Sequence, residues 1–330
     1  MNTLPSIAKR RTWLSVSLSA CAAWVGLSCV TGSVWAQTAA YPNKPIKIIV
    51  GSGPGGASDT PARALAQQLE QVLKQPVVVE NRPGVATMLA ARAVRSAAPD
   101  GYTFFFGNPT IFSKVMMRDG MDANRELTPV AEVIRGDVFI ITSLASGIDS
   151  VEKMVSYAKT SPLRCGYVAR PTEMTIAMVA AVQPFKFECI PYKTIDQVIQ
   201  GMMTNEIQVT VSALTPMAGL VNSNKMLLVG VAAKDRSSFA PATRTLTEQG
   251  VPAVVPFRNG LWGPPGLPDD IVKTMAGAVK AVANIPAFRE RIKVLSNEVD
   301  VLEANDQREE LVQANAFFTQ GAKLTGFVPE

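Results

Sequence analysis

The chain has 330 residues, four cysteines and no histidine, which excludes Ser-His-Asp and Cys-His nucleophile arrangements and every histidine-ligated metal site. Its formal net charge is +5, from 32 lysines and arginines against 27 aspartates and glutamates, and three of the cations lie at residues 9–11. The small charge of the remaining chain gives no electrostatic basis for nucleic-acid binding.

The N-terminal residues predict an export signal. The basic residues 9–11 precede a mostly apolar segment at residues 13–30, and residues 34–36 carry side chains that a signal peptidase accepts. We expect a signal peptide over residues 1–36 and a mature chain of 294 residues in the periplasm. Residues 10–14 also resemble a twin-arginine signal, and residues 18–21 resemble a lipobox, which would instead anchor the protein through Cys21.

The first strand and helix of the mature chain enclose a glycine-rich loop. Residues 46–50 (IKIIV) predict a buried parallel strand, and residues 61–74 predict a helix with its apolar side chains on one face. Four glycines lie within residues 51–56, and Ser58, Asp59 or Thr60 can cap the helix. Such a loop directs backbone N–H groups toward one point, which favours an anion.

Three interpretations of this loop stay open. Gly51, Gly53 and Gly56 fit the spacing of a dinucleotide fingerprint, but no convincing acidic partner for a ribose follows about twenty residues later. The loop can also be a purely structural turn. The third interpretation is a site for a small anionic ligand.

The next elements extend an α/β pattern. Residues 76–80 and 102–106 predict strands, and residues 85–98 predict a helix between them. Ligands of parallel α/β sheets bind beyond the carboxyl ends of the strands, so we expect Gly107, Asn108 and Thr110 to lie near the first glycine loop.

A second α/β series follows and indicates a second lobe. Residues 130–134 and 138–143 are two apolar runs with no clear helix between them. The predicted strands that follow are residues 164–168, 188–192, 207–212 and 227–232, and the predicted helices are residues 150–160, 172–182 and 195–204. An extended segment at residues 254–262 then leads to helices at residues 268–283, 286–295 and 307–324. If these helices pack on the first lobe, the chain crosses between lobes near Ser143 and near Val254. Two such crossings form a hinge that suits a ligand cleft.

Several short motifs occur in a characteristic order. They are residues 41–46 (YPNKPI), 55–59 (GGASD), 80–84 (ENRPG), 98–103 (APDGYT), 191–193 (PYK) and 246–250 (LTEQG). This set resembles the Bug family of periplasmic solute-binding proteins, the receptors of tripartite tricarboxylate transporters. The resemblance implies an α/β type II periplasmic-binding-protein fold, with lobe 1 at residues 37–142 and 254–330 and lobe 2 at residues 143–253.

The resemblance also implies a carboxylate held between loops of the two lobes. Carried over by position, the ligand-binding residues are Ser52, Gly55, Gly56, Ala57, Ser58, Asp59, Gly107, Asn108, Thr110, Arg170, Thr172, Tyr192 and Ser212. Arg170 departs from the family pattern, because residues 167–171 replace most of the small residues usual there.

Individual residues leave alternatives open. Arg170 can bind a second carboxylate bidentately or remain a solvated loop residue. Asp59 can meet the ligand or hold the start of the helix. Tyr192 can donate its hydroxyl to the ligand or pack between the lobes, and Tyr167 and Phe112 can line an apolar pocket or belong to the core.

The expected function is capture of a small organic carboxylate and its delivery to the membrane subunits of a tripartite transporter. We expect a non-enzymatic monomer with no cofactor, no metal and no nucleic-acid partner. The alternatives are a ligand-sensing subunit that signals to a membrane sensor kinase and an exported enzyme that uses Asp59, Lys193 or Tyr192 as acid or base. Cys165 and Cys189 can form a disulfide or remain two buried thiols.

Overall fold

Two mixed β-sheets organise residues 41–329, the part of the chain that the computed structural model describes. The strands are β1 (Ile46–Val50), β2 (Val77–Asn81), β3 (Thr103–Gly107), β4 (Thr128–Gly136), β5 (Val138–Ser143), β6 (Leu163–Tyr167), β7 (Phe187–Pro191), β8 (Val209–Ala213), β9 (Met226–Val231), β10 (Arg258–Gly263) and β11 (Asn297–Glu303). The predicted signal peptide, its cleavage site and the lipobox at Cys21 lie outside the described residues.

The helices pack on the faces of these sheets. They are α1 (Asp59–Leu73), α2 (Met88–Arg95), α3 (Ala123–Glu126), α4 (Val151–Thr160), α5 (Pro171–Val182), α6 (Ile195–Met203), α7 (Ala218–Asn222), α8 (Asp269–Ala283), α9 (Pro286–Val294) and α10 (Ala304–Thr325). Among the described helices, none is both long enough and apolar enough to cross a membrane.

The six-stranded sheet has the order β11-β4-β10-β3-β1-β2, and the five-stranded sheet has the order β7-β6-β8-β5-β9. We call the first sheet with α1, α2, α8 and α9 the first lobe, and the second sheet with α4, α5, α6 and α7 the second lobe. The two α/β lobes expected from the sequence are therefore present.

Both sheets are mixed, and their parallel parts include the first three predicted strands of the mature chain. Strands β2, β1 and β3 are parallel, and so are β7, β6 and β8, whereas β10, β11 and β5 run antiparallel to their neighbours. Parallel neighbours need a crossover connection, usually a helix. Strands β5 and β10 each enter their sheet from the other lobe and not through a helical crossover within one sheet. They can therefore run antiparallel to their neighbours.

The chain passes between the sheets twice. Strand β4 ends at Gly136 in the first sheet and β5 begins at Val138 in the second, so the first crossing lies at Asp137. The expected crossing near Ser143 lies a few residues too late, and we propose lobe boundaries shifted accordingly. The second crossing lies between β9 and β10. Helix α10 adds a third link, because it packs on β4 and also on α5.

Alternating side chains build a core on each face of the first sheet. In β3, Phe104 and Phe106 face a core with α1 and α8, while Phe105 faces a core with α2, and all three are fully buried. This pattern is typical of strands covered by helices on both faces.

A disulfide joins two neighbouring strands of the second lobe. Cys165 of β6 and Cys189 of β7 are register partners in a parallel pair, with their Cα atoms 4.4 Å apart. Of the two alternatives left open by the sequence, the structure therefore has the disulfide.

Candidate ligand-binding cleft

A cavity of about 170 Å³ lies between the two lobes, and loops that follow β1, β2, β3, β6, β7 and β8 line it. These loops all leave the carboxyl ends of their strands, where α/β sheets bind ligands. The first lobe contributes residues 51–53, 56–58, 86–87, 108 and 110–111, and the second contributes residues 168–169, 171–172, 193–195 and 210–213. The wall is completed by Val138 of β5, Pro216, residues 255–257 of the second crossing and Phe318 of α10.

Asp59 organises the first glycine loop from behind. Its carboxylate accepts hydrogen bonds from the Gly55 N–H at 2.9 Å, the Asn81 amide at 2.7 Å and Arg63 Nε at 3.0 Å. Burial raises the pKa of Asp59, but the hydrogen bonds from Arg63, Asn81 and Gly55 outweigh it and hold this pKa below its usual range. Asp59 therefore holds the loop as a carboxylate and does not line the cavity.

Three hydroxyl groups on the first-lobe side differ in their partners. Ser58 Oγ donates to Asn259 Oδ1 of β10 at 3.0 Å, so it links the loop to the sheet. Ser52 Oγ and Thr87 Oγ1 are buried atoms with no hydrogen-bond partner within the described chain, and both residues line the cavity. Because buried hydroxyls are normally hydrogen-bonded, these two are available to a ligand oxygen.

The second-lobe hydroxyls mainly support its backbone. Thr172 donates to the carbonyl of Val211 at 2.8 Å, and Thr210 donates to the carbonyl of Gly166 at 2.7 Å. These bonds tie α5 and β6 to β8, so they fix the loops that face the first lobe. Ser212, the next residue on β8, lines the cavity half-buried.

Four helices begin at the cavity wall. Ser58, Thr87, Pro171 and Ile195 line the cavity, and they lie at the N-terminal ends of α1, α2, α5 and α6. A helix N-terminus carries a partial positive charge and unsatisfied N–H groups. Among the described residues that line the cavity, Lys193 is the one charged residue, and none is an aspartate or glutamate. The electrostatics of this wall therefore favour an anion.

The structure brings eight of the expected ligand-binding residues together in the cavity wall: Ser52, Gly56, Ala57, Ser58, Asn108, Thr110, Thr172 and Ser212. The other five are absent from that wall: Gly55, Asp59, Gly107, Arg170 and Tyr192. The Gly55 N–H donates a hydrogen bond to the Asp59 carboxylate, and Gly107 is the last residue of β3. Tyr192 lines a separate surface hollow with Glu206. Of the aromatic candidates, Phe112 is fully buried in the core and Tyr167 does not line the cavity.

Arg170 is engaged outside the cavity. It pairs with Glu173 at 2.8 Å, donates to the carbonyl of Val328 at 3.0 Å and lies 4.5 Å above the ring of Phe327. The C-terminal residues thus hold the guanidinium that was a candidate for a second carboxylate.

Sequence reasoning missed most of the apolar wall. This wall consists of Ile111, Val138, Val168, Ile195, Val211, Val255, Phe257 and Phe318. Apolar residues in or next to strands and helices are typical of a core, so no sequence signal separates these wall residues from it. Thr87 was also missed, although residues 85–87 have positive φ values and precede α2, a conformation that clusters at ligand sites.

A smaller cavity of about 10 Å³ lies behind the cleft, and it shares Asn108, Thr110 and Pro256 with the larger one. Its wall includes the carboxylates of Glu132 and Glu310 and the guanidinium of Arg258. No group of three or more acidic or cysteine residues in the described chain could hold a metal ion.

Replacing Gly51 by alanine should destabilise the fold by about 1–3 kcal/mol through overpacking. A Cβ at Gly51 would lie 2.6 Å from Thr87 Cα and 2.8 Å from Thr87 Cγ2, so it would push two parts of the cavity wall apart. Gly53 is the matched control, because a Cβ there meets only Thr194 Cγ2, at 4.0 Å. Urea unfolding should show a loss for Gly51→Ala and a change within about 0.5 kcal/mol for Gly53→Ala. Equal losses would contradict this packing argument.

Comparison with known proteins places this geometry in a family. A family model described as "Tripartite tricarboxylate transporter family receptor" (TctC) matches residues 61–321. A Cupriavidus necator protein, the UPF0065 protein in gbd 5'region, is 28% identical over 290 residues, which cover 86% of this chain and 88% of the relative.

Two solved structures share the fold. The periplasmic binding protein BugD aligns with a TM-score of 0.81 and 22% identity, and R. palustris Rpa4515 with adipate aligns with a TM-score of 0.83 and 23% identity. Each alignment covers 88% of this chain and all of the other one. The family consists of binding receptors and not of enzymes. The chain belongs to the TctC (Bug) family of tripartite tricarboxylate transporter receptors.

Proposed function

We propose that the protein captures a small organic carboxylate in the periplasm and presents it to the membrane subunits of a tripartite transporter. The observation that carries this proposal is the cleft wall, which combines four helix N-termini and one lysine with no carboxylate. A carboxylate matches such a wall, because it accepts hydrogen bonds from N–H and hydroxyl donors and carries a negative charge.

The position of the cleft supports a receptor that closes on its ligand. Both lobes supply wall residues, and the chain crosses between them at Asp137 and again between β9 and β10. A ligand that contacts both lobes binds the closed form better than the open one and therefore shifts the population toward closure. Rpa4515, which has the same fold, was solved with adipate, a dicarboxylate.

Location and partners follow from the same proposal. The basic and apolar residues of the N-terminal segment suit export, and solved relatives of this fold include periplasmic binding proteins. We propose that the mature receptor works as a monomer, because the two lobes of one chain supply the whole cleft.

A thermal-shift screen of residues 37–330 tests this function. The panel contains mono-, di- and tricarboxylates, aromatic acids and amino acids. A ligand at a hundred times its Kd should add about 2.7 kcal/mol to the free energy of unfolding, which raises Tm by roughly 2 °C or more. We expect shifts confined to carboxylates.

Gly53→Phe serves as the control for the site. Its side chain would project toward Thr194 on the opposite wall and occupy the cleft. The variant should fold but show no ligand shift. Shifts that persist in this variant, or a panel in which no carboxylate acts, would refute a carboxylate receptor with its site in the cleft.

A further inference from the structure

The charge of the cleft wall is concentrated in one side chain. Lys193 lies on the loop between β7 and α6, and its backbone N–H donates to Gln197 Oε1 at 3.0 Å, which fixes the loop. The side chain is exposed, and within the described chain its ammonium forms no ion pair. Glu206 lines the neighbouring hollow with Lys193 but lies beyond ion-pair distance. The ammonium is therefore available to a ligand anion.

No second cation lines the cleft within residues 41–329. Arg170, the nearest candidate by sequence, is held by Glu173, the carbonyl of Val328 and the ring of Phe327. A second carboxylate on the ligand would meet only helix N-termini and hydroxyl groups, which carry partial charges, and would give up its hydration without a full positive charge beside it.

Apolar side chains from both sides form most of the remaining wall. Val168, Ile195 and Val211 belong to the second lobe, and Phe257 and Phe318 belong to the second crossing and α10. Burying the uncharged part of a ligand against these side chains is favourable in proportion to the apolar area removed from water. An amino acid is disfavoured on similar grounds, since no carboxylate among the described wall residues could receive its ammonium.

Resting on the proposed function, we infer that the ligand carries a single carboxylate, which pairs with Lys193, on an uncharged and apolar aliphatic or aromatic body. Lys193 is thus the residue that selects the charge of the ligand. The wall of Val168, Ile195, Val211, Phe257 and Phe318 selects its body.

Calorimetric titration with two matched series tests the ligand class. The aliphatic series is hexanoate, adipate and 6-aminohexanoate, and the aromatic series is 4-methylbenzoate, terephthalate and 4-(aminomethyl)benzoate. In at least one series the mono-acid should bind at least tenfold more tightly than the di-acid, and the zwitterion should not bind measurably. A di-acid that binds as tightly as its mono-acid overturns the inference and leaves the carboxylate receptor standing. If no acid of either series binds, both proposals fail.

Substitution of Lys193 tests its role. Lys193→Gln should weaken mono-acid binding at least tenfold and abolish most of its dependence on salt, whereas Lys193→Arg should retain most of the affinity. Lys186→Gln is the matched control, because Lys186 is an exposed lysine that precedes β7, at the strand end opposite the cleft. Unchanged affinity and salt dependence in Lys193→Gln would show that the ligand charge is recognised elsewhere.

Discussion

Replacing Glu132 by glutamine should stabilise the protein strongly at pH 8 and hardly at all below pH 5. Glu132 is only 3% exposed on β4, and its nearest cation, Arg258, lies 3.8 Å away. Arg258 also pairs with Asp300 at 2.6 Å and lies 3.6 Å from Glu310, so a single guanidinium faces three carboxyl groups and cannot compensate all of them if they ionise. Burial raises the pKa of Glu132 to about 8, against the attraction of Arg258 and with repulsion from Glu310 and Asp300.

The direction of the pH dependence follows from this shift. The ordinary pKa of the glutamate is 4.5, so between pH 4.5 and 8 the folded protein retains a proton that the unfolded chain releases. The stability associated with Glu132 is complete below 4.5 and is lost as pH rises through 8, at about 1.4 kcal/mol per pH unit. Glutamine does not titrate, so the variant should exceed the parent by roughly 4 kcal/mol at pH 8.

Urea unfolding at intervals from pH 5 to pH 9 measures this difference. Glu80→Gln is a useful control, because Glu80 forms ion pairs with Lys47 and Arg82 at the surface and its pKa is lowered by them. Removing Glu80 should not produce a gain at high pH. Parallel pH profiles for the parent and Glu132→Gln would show that Glu132 is ionised in the folded state.

Removing the Cys165–Cys189 disulfide should lower the free energy of unfolding by about 3 kcal/mol. The two cysteines are 24 residues apart, and the cross-link restricts the unfolded chain in proportion to the logarithm of the loop length. The cleft loops at Val168 and Lys193 begin within a few residues of the two cysteines, so ligand affinity should fall as well.

The Cys165→Ala/Cys189→Ala double variant and the reduced parent protein provide two independent measurements. Both should unfold at lower urea than the oxidised parent, and a reductant should have no effect on the double variant. Agreement of all three unfolding midpoints would mean that the cross-link does not contribute to stability.

The first α/β series was predictable because its signals are local. Residues 46–50 form a strand with the bounds that the β-branched run indicates, and the glycine loop after it lines the cleft. Strand β11 was not predicted. Its sequence NEVDVLE does alternate apolar and polar residues, but the alternation covers only seven positions and lies directly beside a helix. Helix α2 begins at Met88 and not at residue 85, because residues 85–87 adopt positive φ values that end the helical pattern.

The site was predictable only where backbone loops define it. Eight expected residues lie in the cavity wall because strand ends and glycine loops carry sequence signals. The position of Arg170 depends on Phe327 and Val328, which are more than 150 residues away in the chain, and no local pattern connects them. Phe318 and Val255 reach the cleft through tertiary packing alone, so their periodicity indicates only a buried face.

Helix α10 gives the two lobes a contact that is independent of the ligand. A Cβ at Gly321 would lie 3.2 Å from the sulfur of Met174 and 3.5 Å from that of Met178, so the helix approaches α5 closely at this point. Thioether side chains are flexible and polarisable, so they adapt to a shift of α10 along α5 better than branched side chains would. Apolar contacts of this kind weaken on cooling and strengthen in the presence of excluded salts such as sulfate. The balance between open and closed forms should therefore respond to temperature and to salt type even in the absence of a ligand.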